Sequence, residues 1–314
     1  MWIMKEDTAV HKTRWQDFWG AFRKNKLALI GMIIVIFFFL IAVLGAFLTY
    51  GREPFLDPGK VRLPDKLKPP LSKPNTEVLP HQDLPRLGIY FLGTDSLGRD
   101  VFARILQGAI VSLLVGFVAV GISVVIGMVL GGIAGFLGRA SICGALIMRA
   151  VDIMMCFPAF FLILTLVAIL PSSIWIIMIV IGLTGWTGTT RFVRAEFLSL
   201  REQDFVVAAK ALGLPRRRII FRHMMPNAVA PVLVSATIGI PGAILTESGL
   251  SFLGFGVPPP NATWGNILAG GRQFIFDAPW LLIAPGIAIL LTVLSFNLFG
   301  EGLRDALNPK LRGR

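Results

Sequence analysis

Charged groups make up only 15% of this 314-residue chain, so those lying in apolar runs are the first candidates for chemistry. Arg149 and Asp152 stand three apart, the spacing at which two side chains meet on one helix face. They would pair or snorkel at the inner end of a span, or act as a gate. Glu247 follows Ala228 by nineteen residues, about 28 Å along a helix and thus near the outer boundary of a span. There it could line a cavity mouth, touch a partner, or orient the turn at 250–256. Trp186, with Gly182, Gly185 and Gly188, could sit beside a pathway or simply pack. No metal site is expected. His11, His81 and His223 are scattered, and Cys143 and Cys156 form neither a CxxC pair nor a disulfide framework. HExxH, GxSxG and paired intramembrane aspartates are absent, which leaves an intramembrane enzyme without catalytic residues. With no GxxxxGK(S/T) loop, the chain is not itself an ATPase.

The elements that would carry these residues are membrane spans. Hydrophobic residues reach 55% and mean hydropathy is +0.74, both unlike soluble domains. Residues 27–48 form 22 positions without a charge, enough to cross a hydrocarbon layer of about 30 Å. A cleaved signal would have a shorter apolar core, and this run follows 26 charged and aromatic residues. Apolar segments recur at 109–137, 150–170, 172–188, 228–256 and 280–299, making six. The second and fifth exceed one crossing, so each should include an interfacial or re-entrant portion. Gly127, Gly131 and Gly135 in the second span would admit a close helix, within this subunit or in another.

Lys and Arg number six in 1–26, eight between spans four and five, and four after span six, whereas 171–173 has none and 257–279 only Arg272. Both termini are therefore expected in the cytoplasm, and the net charge of +12 reflects topology rather than nucleic-acid binding. The resulting division is a cytoplasmic segment 1–26, a first span 27–48, an external stretch 49–108, a core 109–300 and a cytoplasmic tail 301–314. Trp15, Phe18, Trp19 and Phe22 form a helical stripe suited to the membrane surface or to an aromatic anchor belt. The proline-rich stretch 49–90 reads as extended, irregular and external.

The connection 189–227 is long and cytoplasmic yet patterned for structure. Helix formers run from 195 to 212, Gly213 and Pro215 stop them, and a second helix over 216–225 should end at Pro226. A short helix held under the membrane by two spans can receive force from a soluble partner; it could equally be a solvated loop.

Ala208-Ala209-Lys210-Ala211-Leu212-Gly213, followed by Met225-Pro226, resembles the EAA loop of ABC importer permeases, with Val207 in place of the leading acid. FLGTDSLGRDVFAR at 91–104, ESGLSFLG at 247–254, Pro258–Pro260 and Trp264-Gly265-Asn266 are similar to the peptide and nickel branch. FWGAFRKNKLALIG before and into span one resembles its "C"-type subunits. The resemblance implies an all-α, polytopic type I importer permease in the bacterial inner membrane. It also implies a heterodimer with a homologous permease, two ATPases that bind ATP and Mg, an extracytoplasmic binding protein, and a peptide substrate. No cofactor is implied for this chain. Phe205, Ala208, Ala209, Lys210, Leu212 and Gly213 would couple to an ATPase, with Arg216 near the membrane or ATPase surface and Pro226 closing the motif. Nickel chelates, glutathione or opines are alternative substrates. A lone channel or secondary carrier is disfavoured, because few ionisable groups lie at mid-span.

Overall fold

The computed structural model describes residues 14–138 and 141–307. Among these the regular structure is helical: α1 (Arg14–Lys24), α2 (Lys26–Thr49), α3 (Val101–Leu137), α4 (Ile142–Met155), α5 (Ala159–Ile169), α6 (Ile174–Arg201), α7 (Asp204–Ala211), α8 (Arg216–Arg218), α9 (Met225–Phe252), α10 (Trp264–Gly271) and α11 (Trp280–Leu307). A π-helical segment, Ile219–Met224, joins α8 to α9. Five helices are long and apolar enough to cross a membrane, and the pair α4–α5 supplies a sixth crossing if it counts as one span.

Local chemistry explains where the helices start and break. The Asn25 side chain accepts from the Ala28 amide and caps α2. Asp100 caps α3 through the Phe102 amide (2.9 Å), so this helix begins eight residues earlier than the expected 109. Pro158 has no amide proton and disfavours a helical Phe157, and α4 and α5 meet there at 81°. The proline thus gives a full break rather than a kink.

Pro226 behaves otherwise. In place of an ending there, α8, the π segment and α9 run on from Arg216 to Phe252. A proline ring clashes with the carbonyl four residues back. The widened turn ahead of it, where the Met225 amide bonds the Ile220 carbonyl, lets the chain pass.

The α3–α6 pair forms the centre of the bundle. A β-carbon at Gly127 would stand 2.5 Å from Thr189 Cγ2, and one at Gly131 would stand 2.6 Å from the Thr190 carbonyl. At Gly135 it would meet Phe197 Cβ at 2.5 Å. The glycine ladder therefore packs within the subunit. Lipid offers no hydrophobic drive, so van der Waals contact at this distance holds the helices together. On the other side, α2 and α11 close over α3 and α9 through Val35, Phe38, Ile244, Trp264, Ile289 and Phe296.

The N-terminal aromatic stripe packs otherwise than expected. Phe22 is buried beside Phe299 and Ala306 rather than laid on a surface, and Phe18 and Trp19 pack with it. The Trp15 side chain lies outside the described residues. Residues 301–307 continue α11, while 308–314 lie outside the described residues.

The 50–100 segment is irregular but bonded throughout. Asp65 is fully buried, accepting from Tyr90 Oη (2.7 Å), Lys68 Nζ (2.7 Å) and the Asn75 amide (3.1 Å). Burial and the adjacent Asp65 carboxylate push the Tyr90 hydroxyl well above the usual tyrosine range, so it stays a donor.

Candidate coupling site and transport path

At one end of the bundle, α7 lies between the last turn of α6 and α8. Val206 and Ala209, three apart, are buried against Phe197, Ile219, Ile220 and Met224. The opposite faces are apolar and uncovered: Phe205 is 39% exposed, Val207 53% and Leu212 80%. Ala208 and Lys210 are exposed beside them. The helix is fixed from within and bare outside.

Its exit is equally fixed. The Gly213 amide bonds the Lys210 carbonyl (3.0 Å) and the Leu214 amide bonds the Ala209 carbonyl (3.2 Å). This double pattern ends a helix through a left-handed residue, and Leu214 packs in the same apolar cluster as Ala209. Gly213 holds φ +71° with open space around it, so backbone angle rather than room demands glycine. Lys210 Nζ sits 5.9 Å from the Phe136 ring centroid. Arg216 opens α8, exposed. The expected single helix over 195–212 is two, interrupted at 202–203, where the chain turns from α6 into α7.

Asp152 does not pair with Arg149. Its Oδ1 lies 2.5 Å from Arg191 Nη2 on α6, with both side chains about half exposed, and Arg149 is exposed without an ion pair among the described residues. The neighbouring helix brings its guanidinium onto the carboxylate, which the same-helix spacing could not reveal.

A cavity of about 280 Å³ lies between α3, α5, α6 and α9. Its lining is uncharged and mostly small, Ser123, Thr184, Gly185, Thr189, Ser235, Gly239, Gly242 and Thr246 standing beside Val120, Ile163, Ile181 and four alanines. Several hydroxyls turn back on backbone carbonyls, Ser123 to Gly182 (2.8 Å), Thr184 to Val180 (2.9 Å) and Thr246 to Gly242 (2.8 Å). The wall therefore presents methyl groups and glycine backbone without a fixed charge. Sequence reasoning missed it, although Ser235, Gly239, Gly242 and Thr246 form a legible i, i+4, i+7, i+11 stripe. Trp186, half-buried on α6, is not part of this wall, and neither is Glu247. Glu247 is fully buried at the α9–α10 junction, where Ser251 Oγ donates to Oε1 (2.7 Å) and Gly265 lies against Oε2. Its carboxylate thus sits between the last turn of α9 and the first turn of α10.

At the opposite end, three α3 side chains that sequence reasoning passed over clamp the 257–266 segment. Gln107 accepts from the Ala262 amide (2.9 Å), Ser112 from the Trp264 amide (3.2 Å), and Arg104 reaches Asn266 (3.4 Å) while its Nη1 pairs with Asp95 (2.7 Å). Arg104 and Asp95 are both nearly buried. Arg104→Ala removes one of the two guanidinium partners of Asp95, which keeps Arg99 and the Leu97 amide, and should destabilise this end by about 2 kcal/mol. Hydrogen exchange should then rise over 92–100 and 257–266 while α7 stays protected; uniform exchange across both ends would contradict the clamp.

This is an all-helical, multi-pass membrane protein with a short, anchored surface helix between two of its crossings. Residues 123–313 match the family described as "Binding-protein-dependent transport system inner membrane component", and residues 13–70 match "N-terminal TM domain of oligopeptide transport permease C". The chain belongs to this family of inner-membrane transport permeases. It is 41% identical to the dipeptide transport system permease protein DppC of Alkalihalophilus pseudofirmus, over 98% of this chain and 93% of that one. It is 37% identical to the oligopeptide transport system permease protein OppC of Bacillus subtilis, over 95% and 90%. In fold it is similar to a chain of the inward-facing MetNI methionine ABC transporter, with a TM-score of 0.51 at 16% identity, covering 65% of this chain and 96% of that one. The fold is that of a type I ABC importer permease.

Proposed function

We propose that this permease carries di- or oligopeptides inward across the bacterial inner membrane by alternating access, driven by ATP hydrolysed on separate subunits. It would pair with a homologous permease, two ATPases holding ATP and Mg, and an extracytoplasmic binding protein that delivers the peptide. The observation carrying this reading is the bare apolar outer face of α7, anchored by Val206 and Ala209 and stopped at Gly213. An exposed apolar patch of this kind marks a protein or membrane contact, and on this reading the occupant is an ATPase subunit. Both termini and α7 lie in the cytosol on this reading, as the Lys and Arg distribution favours. The peptide assignment draws on the dipeptide and oligopeptide relatives. A small, neutral wall such as that of the α3–α5–α6–α9 cavity suits cargo with varied side chains, since no fixed charge selects among them.

Cys143 and Cys156 are exposed and would be replaced by serine first. Ala208→Cys in that background, reconstituted with its partners, should cross-link to an ATPase subunit. Labelled peptide uptake should require ATP and the binding protein. Uptake without the ATPases, or a cross-link to no other subunit, would overturn the reading.

A further inference from the structure

The α7 end carries a second feature, a basic cleft that shares Lys210 and Arg216 with the coupling segment. A cleft of about 600 Å³ opens between the ends of α3 and α6, α7 and α8. Phe136, Leu214 and Ile219 give it an apolar floor, and Arg201, Lys210 and Arg216 line it with positive charge. No acidic side chain lines it among the described residues. Two of the cations are held in place. Lys210 stands over the Phe136 ring, and the Arg201 guanidinium packs on Gly138 at the end of α3. The acid nearest Arg201 is Glu202, 3.9 Å away and 80% exposed, too solvated to neutralise it. Ser141 also lines the cleft, and the next residues, on α4, leave Ile142 81% and Leu146 65% exposed. Four apart, these two form an apolar strip leading away from the charged rim.

Positive rim, apolar floor and apolar strip together match an amphiphile with a negative head. A free anion would leave the floor and strip unused. We propose that the cleft holds the phosphate headgroup of an anionic phospholipid whose acyl chain follows Ile142 and Leu146. Membrane charge then reaches α7 directly through Lys210. This assignment rests on the orientation given under Proposed function, with α7 at the cytosolic boundary of the bilayer.

The test uses the whole importer complex in vesicles of phosphatidylcholine with or without phosphatidylglycerol, followed by mass spectrometry of the intact complex to count retained lipid. A basic group near an anionic surface contributes about five-fold in affinity. Arg201→Gln with Arg216→Gln should therefore lower phosphatidylglycerol retention by about 25-fold, and Arg201→Lys should largely keep it. Equal retention by wild type and the double variant would overturn the proposal. So would displacement of the lipid by inorganic phosphate at low concentration, which would make the site one for a free anion. Loss of the ATPase from the double variant with lipid retention intact would assign the cleft to an acidic protein surface instead. Retention is read without turnover, so a complex that keeps the lipid but fails to couple sinks only the functional reading.

Discussion

Leu212→Asp should abolish peptide uptake while leaving the permease folded. Leu212 closes α7 and is 80% exposed, so its removal strips little packing from this chain. Surface changes of that kind usually fall within about 0.5 kcal/mol, and an acid near a helix C-terminus adds a penalty of similar size. Buried in a partner's cleft, the same leucine would sit at the centre of an apolar contact, where truncation or charge costs about 2–4 kcal/mol. That corresponds to a loss of at least about 30-fold in ATPase affinity. Ala209 makes a poorer probe because it is 5% exposed and faces Phe197 and Ile219; enlarging it would disturb the permease itself. The measurements are co-purification of the ATPases and binding-protein-stimulated ATP hydrolysis. Wild-type values for both would remove the outer face of α7 from the coupling contact.

Gly131→Leu should cause the largest loss of stability of any single substitution considered. A β-carbon there meets the Thr190 carbonyl at 2.6 Å and Val193 Cβ at 2.8 Å, and backbone on one side of the contact cannot swing away. Overpacking of this order costs about 3 kcal/mol, and in a membrane no hydrophobic drive offsets the separation of α3 from α6. Gly121 on the same helix is the control, with nothing within 4 Å of its β-carbon position. Gly131→Leu should yield little monodisperse protein in detergent, whereas Gly121→Leu should behave as wild type. Equal recovery of the two would show that the glycine ladder does not set the α3–α6 distance.

Membrane crossings and the α7 stop signal were legible because each depends on local sequence. A charge-free run and a Gly-x-Pro stop need no knowledge of the rest of the chain. What escaped depended on neighbours distant in sequence. Asp152 finds Arg191, 39 residues away. Arg104 and Gln107 became legible only once Asp100 was seen to start α3 early enough to put them on one helix with Ser112. Glu247, read from axial distance alone, could have faced a cavity; the packing of α10 on α9 decides that it faces Ser251 and Gly265. Pro226 is a case where a correct local rule was overridden, because a single widened turn satisfied it without ending the helix.

The unbroken path from Arg216 to Phe252 has a geometric corollary. Thirty-seven residues of helix span roughly 55 Å, with one end beside α7 and Thr246 of the neutral cavity wall near the other. Tilting such a beam by about 5° about its foot would swing the far tip by about 5 Å, more than a water molecule's width. A small rotation imposed at the α7 end would thus be magnified by length alone before it reached the opposite face.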